Sequence, residues 1–346
     1  MKKFTALLIA VALVLALAAC GGNSAPAAPA APAAPAAPAA SGAPAEKAPA
    51  DIAWPKKSIQ LVVPYNAGGD TDFYARATAK YLEEELGVSI AVVNTAGASG
   101  TTGALSVLDQ DADGYCFLFG HQSVLFNQAA GSVPFDYTAD FTAVGSPLTD
   151  HTYGLYCRAD APYSTLAELA EYCKAHPGEV SIIGAKNASS GHMASMMEKG
   201  LGDISFRLVE GPSSSAEKLA GFLGGQYDLL TGNFAQYKDY VKEGTIVALG
   251  NYGSKDVEAL TELGIKSWTT QGYDVKSDYT FMIRAKTGTD QAIIDKLAAA
   301  LEKICENPAY QEEVAAFNPT VGFQTGEACQ ELQKAYFNDC LAFLGK

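Results

Sequence analysis

Short apolar runs bounded by turn residues alternate with longer amphipathic stretches over most of this chain. The run SIQLVVP (Ser58 to Pro64) reads as a strand buried on both faces. From Thr71 to Leu86, Phe73, Ala77 and Tyr81 recur at helical spacing, Leu82 and Leu86 extend the stripe, and Gly87 ends it. VSIAVVN (Val88 to Asn94) and YCFLFG (Tyr115 to Gly120) are the next strands, separated by a turn and helix in GASGTTGALSVLDQ. Strand starts about thirty residues apart match one βα unit of a parallel sheet.

The alternation resumes after residue 153. YGLYCRAD, EVSIIGA, ISFRLVE, YDLLTGN and TIVALGNYG read as strands with helices between them. Ser164 is the expected cap of the helix that Pro177-Gly178 stops. YTFMIRAK (Tyr279 to Lys286), a helix from Asp290 to Glu306 and a closing helix from Gly326 to Leu344 complete the pattern. The expectation is an α/β protein of two lobes, with mostly parallel sheets flanked by helices. Residues 51–152 and 253–346 would form the first lobe and 153–252 the second. Ligands would bind between them, at the carboxyl ends of the strands.

The first fifty residues follow another pattern. Lys2 and Lys3, the apolar run Phe4 to Leu17, and Leu-Ala-Ala-Cys at 17–20 read as a secretory leader over 1–19 with a lipidation signal at Cys20. Residues 20–50 are rich in Ala and Pro, with proline every third residue from Pro26 to Pro38. Such a segment builds no core and favours an extended tether of about 3 Å per residue, up to ~80 Å. The domain is therefore expected outside the cytoplasmic membrane, held there by lipid.

The formal charge is −14, and loss of Lys2 and Lys3 with the leader takes it to −16. That balance argues against nucleic acid, which is bound through Lys and Arg. An anion on so acidic a chain needs backbone dipoles or one or two well-placed cations. The six cysteines beyond Cys20 show no CxxC and no metal-like spacing. No HExxH or acidic metal run occurs, and no cofactor is expected.

The loops after the strands carry the candidate chemistry. They are Tyr65-Asn66-Ala67-Gly68-Gly69-Asp70-Thr71-Asp72; Ala98-Ser99-Gly100-Thr101 within a longer Gly-rich stretch; Ser189-Ser190-Gly191-His192; and Thr231-Gly232-Asn233. Each is small, polar and leads into a helix, so exposed N–H groups favour negative charge. None ends in the Gly-Lys-Ser/Thr of a phosphate loop. His121 ends the third strand and faces the expected cleft. Asp72 sits at a helix start, with Arg76 one turn on to hold it. Ser190 and His192 leave a Ser/His hydrolase as an alternative, without a GxSxG elbow.

In order, VPYNAGGDTDFYAR, VNTAGASGTTGA, DADGYCFLFG, STLAELAEYCKAHPGEVSIIGAKNASSGHMA and KLAGFLGGQYDLLTGN resemble the signature segments of tripartite tricarboxylate transporter receptors, the Bug or TctC-like solute-binding proteins. The resemblance runs from about Trp54 to Leu344. It implies a periplasmic-binding-protein (Venus flytrap) fold that closes on a small carboxylate. It also implies a monomer that docks on one large and one small integral-membrane subunit. Tyr65, Asn66, Ala67, Gly68, Gly69, Thr71, Asp72, Ala98, Ser99, Gly100 and Thr101 would clasp the ligand from the first lobe, with His121. Ser189, Ser190, His192 and Asn233 would close from the second. Four positions depart from the family pattern: Tyr65 replaces a common Phe, Thr95-Ala96 replaces Arg-Pro, and Asp70 adds a charge. These departures leave room for an amino acid in place of a plain di- or tricarboxylate. A tethered sensor for a signalling partner would bind the same ligands.

Overall fold

Strand β1 (Ile59–Val63) sends Leu61 and Val63 into one apolar layer and Val62 into another, which explains its unbroken apolar run. The computed structural model describes residues 52–346 apart from 213; the leader, the Cys20 lipidation site and the tether lie outside the described residues. After β1 come α1 (Asp70–Leu86), β2 (Ile90–Asn94), α2 (Thr101–Leu108), β3 (Cys116–Gly120), α3 (Leu125–Ala129) and the long β4 (Phe141–Asp150). The chain then crosses to a second sheet. There it forms β5 (Tyr153–Arg158), α4 (Leu166–Ala175), β6 (Ser181–Ile183), α5 (Ser189–Gly200), β7 (Arg207–Val209), α6 (Ser215–Leu223), β8 (Leu229–Asn233), α7 (Lys238–Lys242), β9 (Ile246–Asn251) and α8 (Glu258–Thr261). It returns through β10 (Tyr279–Lys286), α9 (Gln291–Glu306), α10 (Pro308–Val314), β11 (Thr320–Thr325) and α11 (Gly326–Phe343).

The first sheet has the order β11-β4-β10-β3-β1-β2 and the second β7-β6-β8-β5-β9. The expected two-lobed α/β architecture is present, but the sheets are mixed. β10 runs antiparallel to β3 and β4, β11 to β4, and β5 to both β8 and β9. β4 and β11 carry no strand-like run. The Gly-Ser-Pro of β4 sits where Leu148 and Gly145 oppose Phe281 and Ile283, a bulge that accommodates Pro147.

The return to the first lobe comes later than residue 253. Leu260, Ile265, Trp268 and Val275 pack into the two cores flanking the second sheet, so the crossing is made by β10. Thr165, rather than Ser164, caps α4: its hydroxyl accepts from Glu168 N at 3.2 Å, while the Glu168 carboxylate takes Ser164 N and Oγ at 2.7 and 2.9 Å. The described cysteines are unbridged, and Cys329 and Cys340 share α11. Among the described residues no helix is long and apolar enough to cross a membrane, and no cluster of His, Cys, Asp and Glu has metal-binding geometry.

Candidate functional site

The first jaw is the loop between β1 and α1. Gly69 caps α1 in extended backbone without any side-chain bond, and Ala67 and Gly68 are exposed beside Asn66. Asp72 turns back into this loop. Its Oδ2 accepts from Gly68 N at 2.9 Å and its Oδ1 pairs with Arg76 Nη2 at 2.9 Å. Arg76 also donates to Asn94 Oδ1 at 2.9 Å, so the first two loops are tied together. Burial pushes the Asp72 carboxyl up, but Arg76 and the Gly68 N–H outweigh it and hold the group below its usual range. Asp72 therefore braces the loop, and Thr71 beside it is buried.

The second jaw lies between β2 and α2. Gly97, Ala98, Ser99 and Gly100 all have positive φ, at 141°, 44°, 52° and 96°. For Ala98 and Ser99 this costs of order 1–3 kcal/mol each, and successive N–H groups in such a turn form an anion-binding concavity. Asn127 Nδ2 holds the turn through Ser99 O at 2.9 Å, and Thr101 is buried behind it. Gly103 brings the jaws together: a Cβ there would lie 2.7 Å from Pro64 Cα and 2.8 Å from Thr95 O. The three-residue spacing of Gly97, Gly100 and Gly103 thus reflects two left-handed positions and one close approach.

Aromatic rings wall the site beneath these loops. Tyr65 stacks on His121 at 5.3 Å, His121 stands edge-on to Tyr279 at 4.9 Å, and Tyr279 stacks on Tyr153 at 3.8 Å. Ser123 Oγ bonds His121 Nδ1 at 2.8 Å and lies 3.4 Å from the Tyr65 hydroxyl. Burial and, behind it, the Arg284 charge pull His121 down to about 3, so the ring is neutral. Burial pushes the Tyr65 hydroxyl up to about 12. Tyr153 closes the wall by donating its hydroxyl to Asp70 Oδ2 across the lobes.

The second lobe contributes differently from expectation. Ser189 opens α5, and Ser190 Oγ accepts from Ala185 N at 3.2 Å, closing its own loop. His192 is buried in a socket of first-lobe rings, stacked on Phe126 at 5.5 Å and tilted against Phe343 at 4.5 Å, with Cys340 Sγ 4.0 Å from Nδ1. No hydrogen bond joins Ser190 to His192 among the described residues; Ser190 closes its own loop and His192 faces the first-lobe rings. Asn233 is consumed by the hinge: its Nδ2 donates to Asp150 Oδ2 and to Thr152 Oγ1, the latter at 3.0 Å, and its Oδ1 accepts from Ala235 N at 2.8 Å.

Asp150, Lys218 and Arg284 lie in or behind this region with no signal in the sequence, beside the added charge of Asp70 that the sequence shows. Asp150 ends β4 and is fully buried. It accepts from Tyr74 Oη, Thr152 N and Thr152 Oγ1, each at 2.7 Å, and burial pushes it up to about 6. His151 Nδ1 and Asp278 Oδ1, 2.7 Å apart, clasp the two chain crossings. Lys218, on α6, is lowered by burial and held up by the charge of Asp70 from the other lobe. Burial also raises Asp70, opposed by Tyr153, Thr71 N and Lys218. Arg284 lies fully buried under β3, donating to Gln333 Oε1 at 2.7 Å and Gly120 O at 3.3 Å; burial lowers it to about 10. A lone Lys on an amphipathic helix and an Arg inside a strand carry no local motif, so only their neighbours reveal them.

Residues 74–334 match the model of the tripartite tricarboxylate transporter family receptor. The UPF0065 protein of the gbd 5′ region of Cupriavidus necator is 30% identical over 274 residues, covering 77% of this chain and 80% of that one. BugT of Bordetella pertussis is 26% identical over 276 residues, covering 77% and 82%. Among solved structures, periplasmic binding protein BugD aligns with a TM-score of 0.74 at 24% identity, covering 84% of this chain and 98% of that one. MatC of Rhodopseudomonas palustris, solved with bound malate, aligns with a TM-score of 0.74 at 20% identity, covering 84% and 99%. A second R. palustris protein, solved with adipate, aligns with a TM-score of 0.75 at 23% identity, covering 84% and 98%. Together, the matched span and the two Gly-rich jaws over a two-lobed fold make this chain a member of the tripartite tricarboxylate transporter family of periplasmic solute-binding receptors.

Proposed function

We propose that the protein is an extracytoplasmic lipoprotein, anchored at Cys20, that captures a small carboxylate between its lobes and delivers it to large and small membrane subunits. The observation that carries this reading is the meeting of two Gly-rich helix starts, one uncapped and one of positive-φ backbone, over the aromatic wall of Tyr65, His121, Tyr279 and Tyr153. Backbone donors at Gly69, Ala98, Ser99, Ser189 and Ser190 would hold the carboxylate. Tyr65 and His121 would form the wall against which the carbon chain lies. His192 and Asn233 serve closure in this reading, as latch and hinge. Relatives of the same fold solved with malate and adipate support a ligand of that size.

A thermal-shift screen over mono-, di- and tricarboxylates tests the capture step. A ligand at 100 times its Kd adds about 2.7 kcal/mol of stability. If no carboxylate or amino acid raises the melting temperature, the receptor reading fails. For the anchor, Cys20→Ser should move the protein from the membrane fraction to the soluble one.

A further inference from the structure

We propose that the core of the first lobe holds a monatomic anion of the halide class, bound by the guanidinium of Arg284 and the hydroxyl of Tyr137 on the sheet face that α11 covers. The inference is independent of the receptor reading.

The sheet register places both groups in one layer. Arg284 on β10 lies opposite Leu118 of β3 and Ala143 of β4, so its side chain leaves the sheet on their face. Phe141, two residues along β4, shares that face. Leu118, Phe141 and Tyr137 belong to one buried apolar cluster, and the Tyr137 ring stacks on Phe141 at 5.7 Å. α11 covers the layer: its Gln333 Oε1 accepts from Arg284 Nε at 2.7 Å, and its Tyr336 packs against the same cluster.

Arg284 is fully buried, and the groups that act on its charge are Tyr137, Cys329 and Tyr65, none of them a carboxylate. Burial lowers it only to about 10, so it stays charged at neutral pH. Nε and Nη1 donate to neutral acceptors, Gln333 Oε1 and Gly120 O. Nη2 is buried with no hydrogen-bond partner among the described residues, and so is the Tyr137 hydroxyl. Native proteins leave few buried polar groups unsatisfied, and a buried charge without a counter-charge costs far more than a neutral amide.

Both groups are donors, since a guanidinium has no acceptor and the phenol carries an O–H. One anion receives both bonds and neutralises the charge. A water molecule would accept the same two bonds but leave the charge, and its own hydrogens would face an apolar layer. A sulfate or carboxylate would bring oxygens that two donors cannot satisfy. A monatomic anion carries no such excess.

Bromide tests the inference, because it scatters X-rays anomalously and substitutes for chloride. Crystals of the protein grown with sodium bromide should show an anomalous peak within hydrogen-bond reach of both Arg284 Nη2 and Tyr137 Oη. In solution the melting temperature should rise by about 2 °C or more when bromide replaces fluoride at constant ionic strength. Fluoride is the control because its stronger hydration keeps it out of a buried site. Arg284→Met should abolish the rise, and Tyr137→Phe, which removes one hydroxyl, should reduce it. Should Arg284→Met fail to fold, the diffraction peak and Tyr137→Phe decide. A water at the position without anomalous signal, bromide bound only elsewhere, no rise in the unmodified protein, or a rise that Tyr137→Phe leaves unchanged overturns the inference.

Discussion

Replacing Asp150 with alanine strips the hinge of the acceptor shared by both lobes. Tyr74 Oη, Thr152 N and Thr152 Oγ1 each lose a partner at 2.7 Å, while Asn233 Nδ2 keeps Thr152 Oγ1 at 3.0 Å. Three buried donors left unsatisfied cost about 1–3 kcal/mol each, or about 3–9 kcal/mol together. Against this stands relief from a buried charge. A carboxyl raised from 3.8 to about 6 favours folding when protonated; that contribution is fully present below 3.8 and lost as the pH rises through about 6. At 1.36 kcal/mol per pKa unit, ionised Asp150 costs the native state about 3 kcal/mol at pH 7.5 and about 1 kcal/mol at pH 4.5. The destabilisation by Asp150→Ala should therefore shrink by about 2 kcal/mol between pH 4.5 and pH 7.5. Urea unfolding of both proteins at the two pH values measures it, with all other titrating groups common to both. A destabilisation that grows with pH would mean that the donors outweigh burial and hold Asp150 ionised, and the reasoning would be refuted.

Two further outcomes follow from the same geometry. Gly103→Ala should lower stability by about 1–3 kcal/mol through overpacking against Pro64 and Thr95, and should also reduce the ligand-induced rise in melting temperature; an unchanged rise would show that the jaws do not need this contact. His192 is held below its ordinary 6.5 by burial, which outweighs the charge of Asp339, so its neutral ring stabilises the fold above pH 6.5 and that contribution fades as the pH falls. His192→Phe should give a flatter melting-temperature profile between pH 5 and 7.5 than the unmodified protein, and parallel profiles would refute the latch.

Much of the scaffold was legible because its signals are local. Buried parallel strands such as β1 and β3 show themselves as apolar runs, and α1 and α9 as stripes ended by glycine or capped by aspartate. The Asp72–Arg76 pair also follows from spacing alone, since residues four apart on a helix face each other. The antiparallel strands β5, β8, β9 and β10 also show as apolar runs, but β4 and β11 left no such trace. β4 reads as turn-rich because its bulge tolerates Gly145 and Pro147, and β11 is a short, half-exposed edge strand. The domain return was read too early because residues 253–278 contain little regular structure, yet Trp268 and Val275 are core of the second lobe.

At the site, the sequence by itself determined the two jaws. Glycines and helix starts act through backbone conformation, which the residues at those positions largely dictate. It also determined the acidic balance that makes Lys218 matter. The division of labour among side chains was decided only by the tertiary structure. His192 and Ser190, two apart in the chain, point to different partners because α5 presents one to the first-lobe rings and the other to its own loop. Asp70 meets Tyr153, 83 residues away, and feels Lys218 only because the two sheets face each other. A charge is read by its neighbours, and in a two-lobed fold those neighbours come from the far side of the cleft.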